Sequence, residues 1–352
     1  MALACAEARR GLGRTAPNPP VGCVLVKRGR VVGAGYHRRA GLPHAEIVAL
    51  RAAGRRARGA TAYVTLEPCC HEGRTGPCVT ALIEAGVRRV VAGCKDPNPE
   101  VSGKGLRALA RAGVETAVGV EREACEDLIR GFRQWVVHGR PFCTLKLAAS
   151  LDGRIAALGG ASKWLSSPRS RRIVQMMRAR SDAILVGVGT VLADDPRLSC
   201  RLRGAKQPMR VVLDRRLRTP PHARVVTGRG RCLIVAAVDA PRARRDRLEA
   251  AGAEVLVLDT RARSGWQRVL RALADRDVLE LLIEGGAEIA TSAFEAGVVT
   301  AVTIFYTPRL IGSDGIPLVG PLGVRHPSRA RRLRMTGAEA CGPDLVWTGV
   351  VE

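Results

Sequence analysis

Two short stretches, "LPHAEIVALRAAG" and "TLEPCCHEGRTGPC", put two histidines, three cysteines and three glutamates within residues 42–78. Histidine nitrogen and cysteine sulfur are common ligands of zinc, and a catalytic zinc takes three protein ligands while leaving a fourth position to water. His44 is one candidate. Cys69, which follows the apolar run "TAYVTL" and the dipeptide "EP", is the second. Cys78 is the third, because it opens "CVTALIEAG", and amide groups at a helix start favour a thiolate. Cys70 and His71 are the rival ligands. Adjacent side chains on an extended segment point apart, so Cys69 and Cys70 do not readily share one ion. His71, in the intervening loop, is better placed to face a substrate. A closed, four-ligand structural zinc is the alternative, but it leaves Glu46, two residues after His44, without a task.

The order of types is the second clue. H-x-E, then a strand, then P-C, then a cysteine opening a helix is the pattern of zinc deaminases that act on nucleobases. The spacing departs from the simple form, because eight residues separate Cys69 from Cys78. Zinc lowers the pKa of a bound water to about 7, so hydroxide is available at neutral pH to attack a ring carbon bearing an amino group. Glu46 takes the water's proton and returns it to the ring nitrogen and the departing ammonia. The expected chemistry is hydrolytic deamination.

These groups need a scaffold, and residues 21–119 alternate β-rich and helical runs. "VGCVLV" and "VVGAGY" read as a hairpin turning at Lys27 to Arg30. "HAEIVALRAAGRRA" has helical spacing in Ile47, Leu50 and Ala53. "TAYVTL", "RRVVAGC" and "VETAVGV" read as strands; "CVTALIEAG" and "GKGLRALARAG" read as helices closed by glycine. "EREACEDLIRGFRQWVVHG" reads as one amphipathic helix. Gly139 to Phe142 then breaks the pattern, giving an expected joint and domains at 1–139 and 140–352. Beyond it, "CTLKLAAS", "SDAILVG", "MRVVLD", "RCLIVAAV", "AEVLVLD", "LELLIEGG" and "TAVTIFY" are mostly continuous apolar runs, as in a parallel sheet covered on both faces. Residues 321–336 read as a basic loop.

Bulk properties bound the function. At 352 residues the chain can build two separate cores. No apolar run approaches the ~20 residues of a membrane span. Arginines interrupt the opening "MALACAEARRGLG", which argues against an export signal. Eleven cysteines in such a chain argue for reduced thiols and a metal, not a disulfide framework. The expected setting is cytoplasmic, away from membranes. A net charge of +25 raises the question of nucleic acid. Yet only six of the 57 basic residues are lysine, the arginines are spread along the chain, and aromatics at 3% leave little to stack on unpaired bases. Compositional drift accounts for the charge, and no nucleic-acid partner is expected. A phosphorylated small substrate also suits these arginines.

The motifs carry a further resemblance. "TAPNPPVGCVLV", "GAGYHRRAGLPHAE", "ATAYVTLEPCCHEGRTGPC" and "KDPNP" resemble the deaminase half of the bifunctional riboflavin-biosynthesis enzymes. "LKLAASLDGRIA", "SKWLSSP", "GVGTVLADDPRLSCR" and "LLIEGGAEIATSAF" resemble their reductase half. The similarity spans nearly the whole chain in the family's order, and the long Cys69–Cys78 gap is what that family has. The opening lacks a few residues that usually precede it, which implies a shortened first helix. The resemblance implies an α/β chain: a cytidine-deaminase-like α/β/α layer domain followed by a dihydrofolate-reductase-like α/β domain. It implies Zn2+ and NADPH as cofactors. It also implies two steps on phosphorylated pyrimidines. First, 2,5-diamino-6-ribosylamino-4(3H)-pyrimidinone 5′-phosphate loses its 2-amino group; then the ribosyl group of 5-amino-6-(5-phosphoribosylamino)uracil is reduced to ribityl. A homo-oligomer is the expected assembly.

Carried over residue by residue, the resemblance gives zinc to His44, Cys69 and Cys78 and the proton to Glu46, with Asn18 helping to hold the pyrimidine. In the second half, Ala148, Trp164, Thr190 and Asp194 match cofactor contacts. The run Gly286, Ala287, Glu288, Ile289, Ala290, Thr291 and Ser292 matches the segment cradling cofactor phosphate. Ser162, Arg178, Leu198, Arg201 and Glu284 match substrate contacts. Chemistry supports part of this. A Gly-Gly step before a helix lets backbone N–H groups approach an anion, although glycines also serve as plain turns. Arg178 and Arg201 can grip a phosphate in bidentate fashion or be surface charges. Trp164 can stack on nicotinamide or fill core. Asp152 and Asp194 fit turn or cap roles as well as chemical ones. Arg215, where the family often has a small hydroxyl residue, can pair with a 2′-phosphate or follow the compositional drift. Three rivals remain: a nucleic-acid deaminase, which calls for aromatic platforms and a concentrated basic stripe; a non-catalytic zinc-binding or regulatory protein, against which Glu46 argues; and, more mildly, a chain with only one active half.

Overall fold

The alternating runs of the first part of the chain become a five-stranded sheet. In the computed structural model, residues 1–70, 76–99, 101–162, 165–259 and 265–352 are described. They fall into two compact units, Met1–Gly139 and Arg140–Glu352. In unit 1 the elements are α1 (Ala2–Arg9), β1 (Gly22–Lys27), β2 (Arg30–Tyr36), α2 (Ala45–Ala53), β3 (Thr61–Leu66), α3 (Cys78–Glu84), β4 (Arg89–Cys94), α4 (Lys104–Arg111), β5 (Glu115–Val118), α5 (Arg122–Leu128) and α6 (Arg130–His138). The sheet order is β2-β1-β3-β4-β5, antiparallel through β3 and parallel beyond it. Arg28 and Gly29, both at positive φ, form the two-residue hairpin turn.

Helix α2 carries the H-x-E pair, and small residues set its seat. Its buried face is Ala45, Ala49 and Ala53, with Glu46 also buried. A Cβ on Gly33 of β2 would lie 2.3 Å from the Ala49 carbonyl oxygen, and one on Gly35 would lie 2.6 Å from the Val48 side chain. Glycine is therefore required where β2 meets α2. Apolar side chains of α2, α3 and α4 cover one sheet face, and those of α1 and α5 cover the other. The expected single helix over 121–139 is interrupted: Ile129, at φ −103 and ψ 13, separates α5 from α6. Amphipathic spacing continues across a one-residue break, so the pattern does not register it. Gly139 ends α6 in the left-handed region, where a side chain is costly.

Unit 2 holds β6 (Phe142–Ser150), β7 (Arg154–Ala156), α7 (Pro168–Arg180), β8 (Ala183–Gly187), α8 (Val188–Asp194), β9 (Met209–Leu213), α9 (Arg224–Thr227), β10 (Cys232–Ala236), α10 (Arg242–Ala250), β11 (Glu254–Val257), α11 (Gly265–Ala274), β12 (Glu280–Ile283), α12 (Ala287–Glu295), β13 (Ala301–Thr307), β14 (Ile316–Pro317), β15 (Leu333–Cys341) and β16 (Asp344–Val351). Its nine-stranded sheet runs β11-β10-β9-β8-β12-β6-β13-β16-β15. The seven strands from β11 to β13 run parallel to one another, and β16 adds to β13 antiparallel. Alternate residues enter different cores: Leu185 and Val211 pack on one side, Ile184 and Val212 on the other. Burial on both faces explains the continuous apolar runs. The β15–β16 pair is antiparallel and escapes the sequence pattern because "LRMTGAEAC" is largely exposed. Residues 333–336, expected in a loop, belong to β15.

Candidate active sites

Three element ends in unit 1 converge on one spot. His44 caps the start of α2 from an extended conformation, Cys69 lies just beyond β3, and Cys78 is the first residue of α3. His44 Nδ1 lies 3.3 Å from Cys78 Sγ and 3.5 Å from Cys69 Sγ. All three ligand atoms lie within 4.8 Å of one another. Zinc bonds of about 2.0 Å to nitrogen and 2.3 Å to sulfur set tetrahedral ligands roughly 3.5 Å apart, so one ion fits this set. Among the described residues it is the one group of metal-ligand type. Cys70 is outside this group, and its half-buried side chain packs against the core cluster to which α2 and α3 contribute.

The electrostatics suit a cation. The hydrogen bond from the Cys78 thiol pulls Cys69 down to about 4. Cys78, holding the shared proton, is driven far up. His44 is raised, first by its bond to Cys69. Glu46 is 3% exposed on the first turn of α2, and burial followed by the Cys69 charge pushes its carboxyl up to about 7. A carboxyl poised there can take and return a proton near neutrality.

Asn18 joins the set through His37, a residue the sequence reading passed over. Asn18 Nδ2 lies 3.1 Å from His37 Nε2, and His37 Nδ1 lies 3.2 Å from the Pro43 carbonyl oxygen. Glu67 was also unassigned. Buried, it accepts backbone N–H bonds from Asp96, Gly103 and Leu106, tying the segment after β4 to the approach to Cys69. The neighbouring "EPC" was its only signal. His71 lies outside the described residues.

In unit 2, Ala148, Ser162, Thr190, Asp194, Glu284 and Gly286 line one cavity of about 280 Å³. Lys146 lines it too and was not foreseen, although a lysine inside the apolar run "CTLKLAAS" is a visible oddity. Arg178 and Glu284, both matched to substrate, are bound to each other. Arg178 Nε and Nη2 donate to the two Glu284 oxygens at 2.7 and 2.9 Å, and Nη1 donates to the Ser199 carbonyl oxygen. The fork expected for phosphate thus holds a carboxylate here. Arg201 is exposed, and its backbone N–H donates to Gln175. Leu198 buries its side chain in the core at φ 46. Asp152 accepts from Ser150 Oγ and from the Ile311 and Gly312 N–H groups, which is a turn-fixing role. Trp164 lies outside the described residues.

Gly286 caps α12, whose first residues include Ala287 to Ser292. A Cβ on Gly285 would lie 2.4 Å from Ile289 Cβ, so that glycine serves packing; at Gly286 a Cβ would have room. Ala290 faces the core, and Thr291 Oγ1 accepts from Gly320 N. Glu288, Ile289 and Ser292 instead line a second cavity of about 900 Å³, with Arg215, Arg216, Arg218 and Arg331 around it. Among the described residues no carboxylate pairs with these four arginines. Arg331 comes from the basic segment that had no assigned role.

Comparison with known proteins points the same way. Residues 141–347 match the RibD C-terminal domain, and residues 1–94 match the cytidine and deoxycytidylate deaminase zinc-binding region. The riboflavin biosynthesis protein RibD of Aquifex aeolicus is 41% identical over 348 residues, 98% of this chain and 96% of that one. The Escherichia coli K12 protein of the same name is 40% identical over 358 residues, again 98% and 96% of the two chains. Among solved structures, Acinetobacter baumannii RibD in form 1 superposes with a TM-score of 0.90 at 36% identity, covering 100% of this chain and 97% of the other. A Thermotoga maritima diaminohydroxyphosphoribosylaminopyrimidine deaminase/5-amino-6-(5-phosphoribosylamino)uracil reductase gives 0.89 at 35%, with the same coverage.

Proposed function

We propose a residue-level division of labour on the premise that this chain belongs to the RibD family of riboflavin-biosynthesis proteins. It is a bifunctional enzyme with a zinc-binding deaminase domain and a pyrimidine reductase domain that uses NADPH. We assign the deaminase to residues 1–139 and the reductase to 140–352. The observation that carries the first assignment is the convergence of His44, Cys69 and Cys78 beside a buried glutamate.

His44, Cys69 and Cys78 would hold the zinc, which when bound makes water a nucleophile at neutral pH and polarises the attacked centre. Glu46 carries two protons in turn, the first from the attacking water to the ring nitrogen and the second from the resulting hydroxyl to the departing amine. Asn18 holds the pyrimidine. The ring carbon exchanges its amino group for oxygen, and ammonia leaves.

In the reductase, NADPH when bound supplies a hydride to the ribosyl carbon. The chamber at Ala148, Thr190, Asp194 and Gly286 receives the reacting end of the cofactor, beside Ser162, Glu284 and Lys146. The arginine-lined cavity takes the far end, with its 2′-phosphate near Arg215 and Arg216. Arg178 orients Glu284 through two bonds, leaving Arg201 as the exposed guanidinium for the substrate phosphate. Phosphorylated pyrimidines are the partners, in a cytoplasmic homo-oligomer; among the described residues no helix is long and apolar enough to cross a membrane. Incubating the protein with the diamino substrate, zinc and NADPH, then weighing the products, tests the assignment. Replacement of the amino group by oxygen and uptake of a hydride and a proton are the expected changes. An unaltered substrate with both cofactors present would refute it.

A further inference from the structure

His37 is 2% exposed, and both its ring nitrogens are engaged. Nδ1 meets the Pro43 carbonyl oxygen at 3.2 Å, and Nε2 meets Asn18 Nδ2 at 3.1 Å. A backbone carbonyl only accepts, so Nδ1 carries the ring proton and Nε2 presents a lone pair. Asn18 must then donate its NH2 to Nε2. The opposite amide orientation would set the Asn18 carbonyl oxygen against that lone pair. One histidine tautomer therefore fixes one asparagine rotamer, with Oδ1 turned away from His37. Among the described residues, no hydrogen-bond donor is found on Oδ1. The His37 ring also stands edge-on to the His44 ring, with centroids 5.3 Å apart and planes at 84°. Asn18 is thus one side chain removed from the ligand set.

We propose that His37 is a positioning residue of the deaminase: it holds the Asn18 amide with its carbonyl oxygen offered to the substrate, so that the site selects a pyrimidine edge presenting an N–H donor. The proposal rests on the deaminase assignment above. A 4(3H)-pyrimidinone has such a donor at ring nitrogen 3, next to the carbon that bears the 2-amino group. A flipped Asn18 would confront it with an NH2, donor against donor, and the misfit would select against this substrate.

Two substitutions separate the contacts of His37. His37→Asn places an amide nitrogen where Nδ1 was, keeping the Pro43 bond but reaching nothing at Asn18. His37→Gln extends an oxygen toward the Nε2 position and can accept from Asn18. The measurement is ammonia release by the zinc-loaded full chain, together with bound zinc and reductase turnover. The probes are the diamino substrate and its analogue methylated at ring nitrogen 3. His37→Asn should raise KM for the substrate about three- to tenfold, the scale of one lost hydrogen bond, with a smaller change in kcat. It should also narrow the preference over the methylated analogue, with zinc content and reductase turnover unchanged. His37→Gln should restore most of both. In an Asn18→Ala background, His37→Asn should add nothing further to KM. Undiminished loss in that background, or an unaltered KM and preference in His37→Asn, would overturn the positioning role while leaving the deaminase assignment intact. A zinc-loaded wild-type chain that releases no ammonia would overturn both.

Discussion

Unit 1 and unit 2 carry their chemistry in different ways. In unit 1 the candidate reacting groups are rare residue types on the ends of secondary-structure elements. His44 and Glu46 start α2, Cys78 starts α3, and Cys69 follows β3. In unit 2 the candidate groups are common types, drawn from β6, α7, α8 and α12 and the segment after β9. There it is partnership, not type, that separates them: Arg178 is locked onto Glu284, while Arg215 and Arg216 line a cavity and, among the described residues, form no ion pair with a carboxylate. A site built from scarce ligands declares itself locally. A site built from abundant charges is defined by which of them the fold has already paired.

The sharpest break in the comparison is metal removal. Changing His44, Cys69 or Cys78 to Ala should empty the protein of its single zinc and abolish deamination, whereas Cys70→Ser should keep both. Reduction of supplied deaminated intermediate should continue, since the two units bury separate cores. Metal content and the two activities, measured side by side, check this. Zinc lost in Cys70→Ser but kept in Cys69→Ser would reverse the ligand assignment.

Glu46→Gln comes next. It should hold zinc and substrate but lose deamination by at least ~100-fold, the scale of a positioned acid–base group, with reductase turnover intact. Near-normal ammonia release would remove Glu46 from the proton path.

For unit 2 the largest effect expected is on stability. Arg178 and Glu284 side chains are 16% and 9% exposed, so Arg178→Ala strands a buried carboxylate and should cost about 3 kcal/mol. Burial opposes ionisation of Glu284, but the charge and bonds of Arg178, with help from Lys146, outweigh it and hold the carboxyl below its ordinary value. A folded-state value below the unfolded one stabilises above the unfolded pKa, about 4.3 for glutamate. That contribution is lost as pH falls through the folded value. Denaturant titrations of wild type and Glu284→Gln should therefore differ at neutral pH and converge in acid. A gap independent of pH would show that the pair's charge contributes nothing.

The smallest effect belongs to the exposed arginines. Replacing Arg215 and Arg216 together by Ala should shrink the preference for NADPH over NADH by about tenfold at low salt, and added salt should by itself shrink it in the wild type. Steady-state kinetics with both cofactors decide it; an unchanged ratio would assign the 2′-phosphate elsewhere, with Arg218 and Arg331 next in line.

The comparison also explains what was legible beforehand. H-x-E, P-C and a helix-opening cysteine named four candidates because metal chemistry restricts type and the neighbouring element restricts direction. The parallel strands of unit 2 were legible because burial on both faces leaves an unbroken apolar run. The exposed β15–β16 hairpin has no such constraint, and neither has the single-residue break at Ile129.

Sequence alone thus determined the candidate ligand types, the candidate glutamate beside them and the apolar periods of the scaffold, because each depends on near neighbours in the chain. Only the tertiary structure decided that Cys70 packs against core, that His37 meets the Asn18 amide, and that Arg178 meets Glu284 across 106 residues. Hydrogen bonds and ion pairs act over about 3 Å of space whatever the separation along the chain. No spacing rule encodes which distant partner the folded backbone brings within that reach.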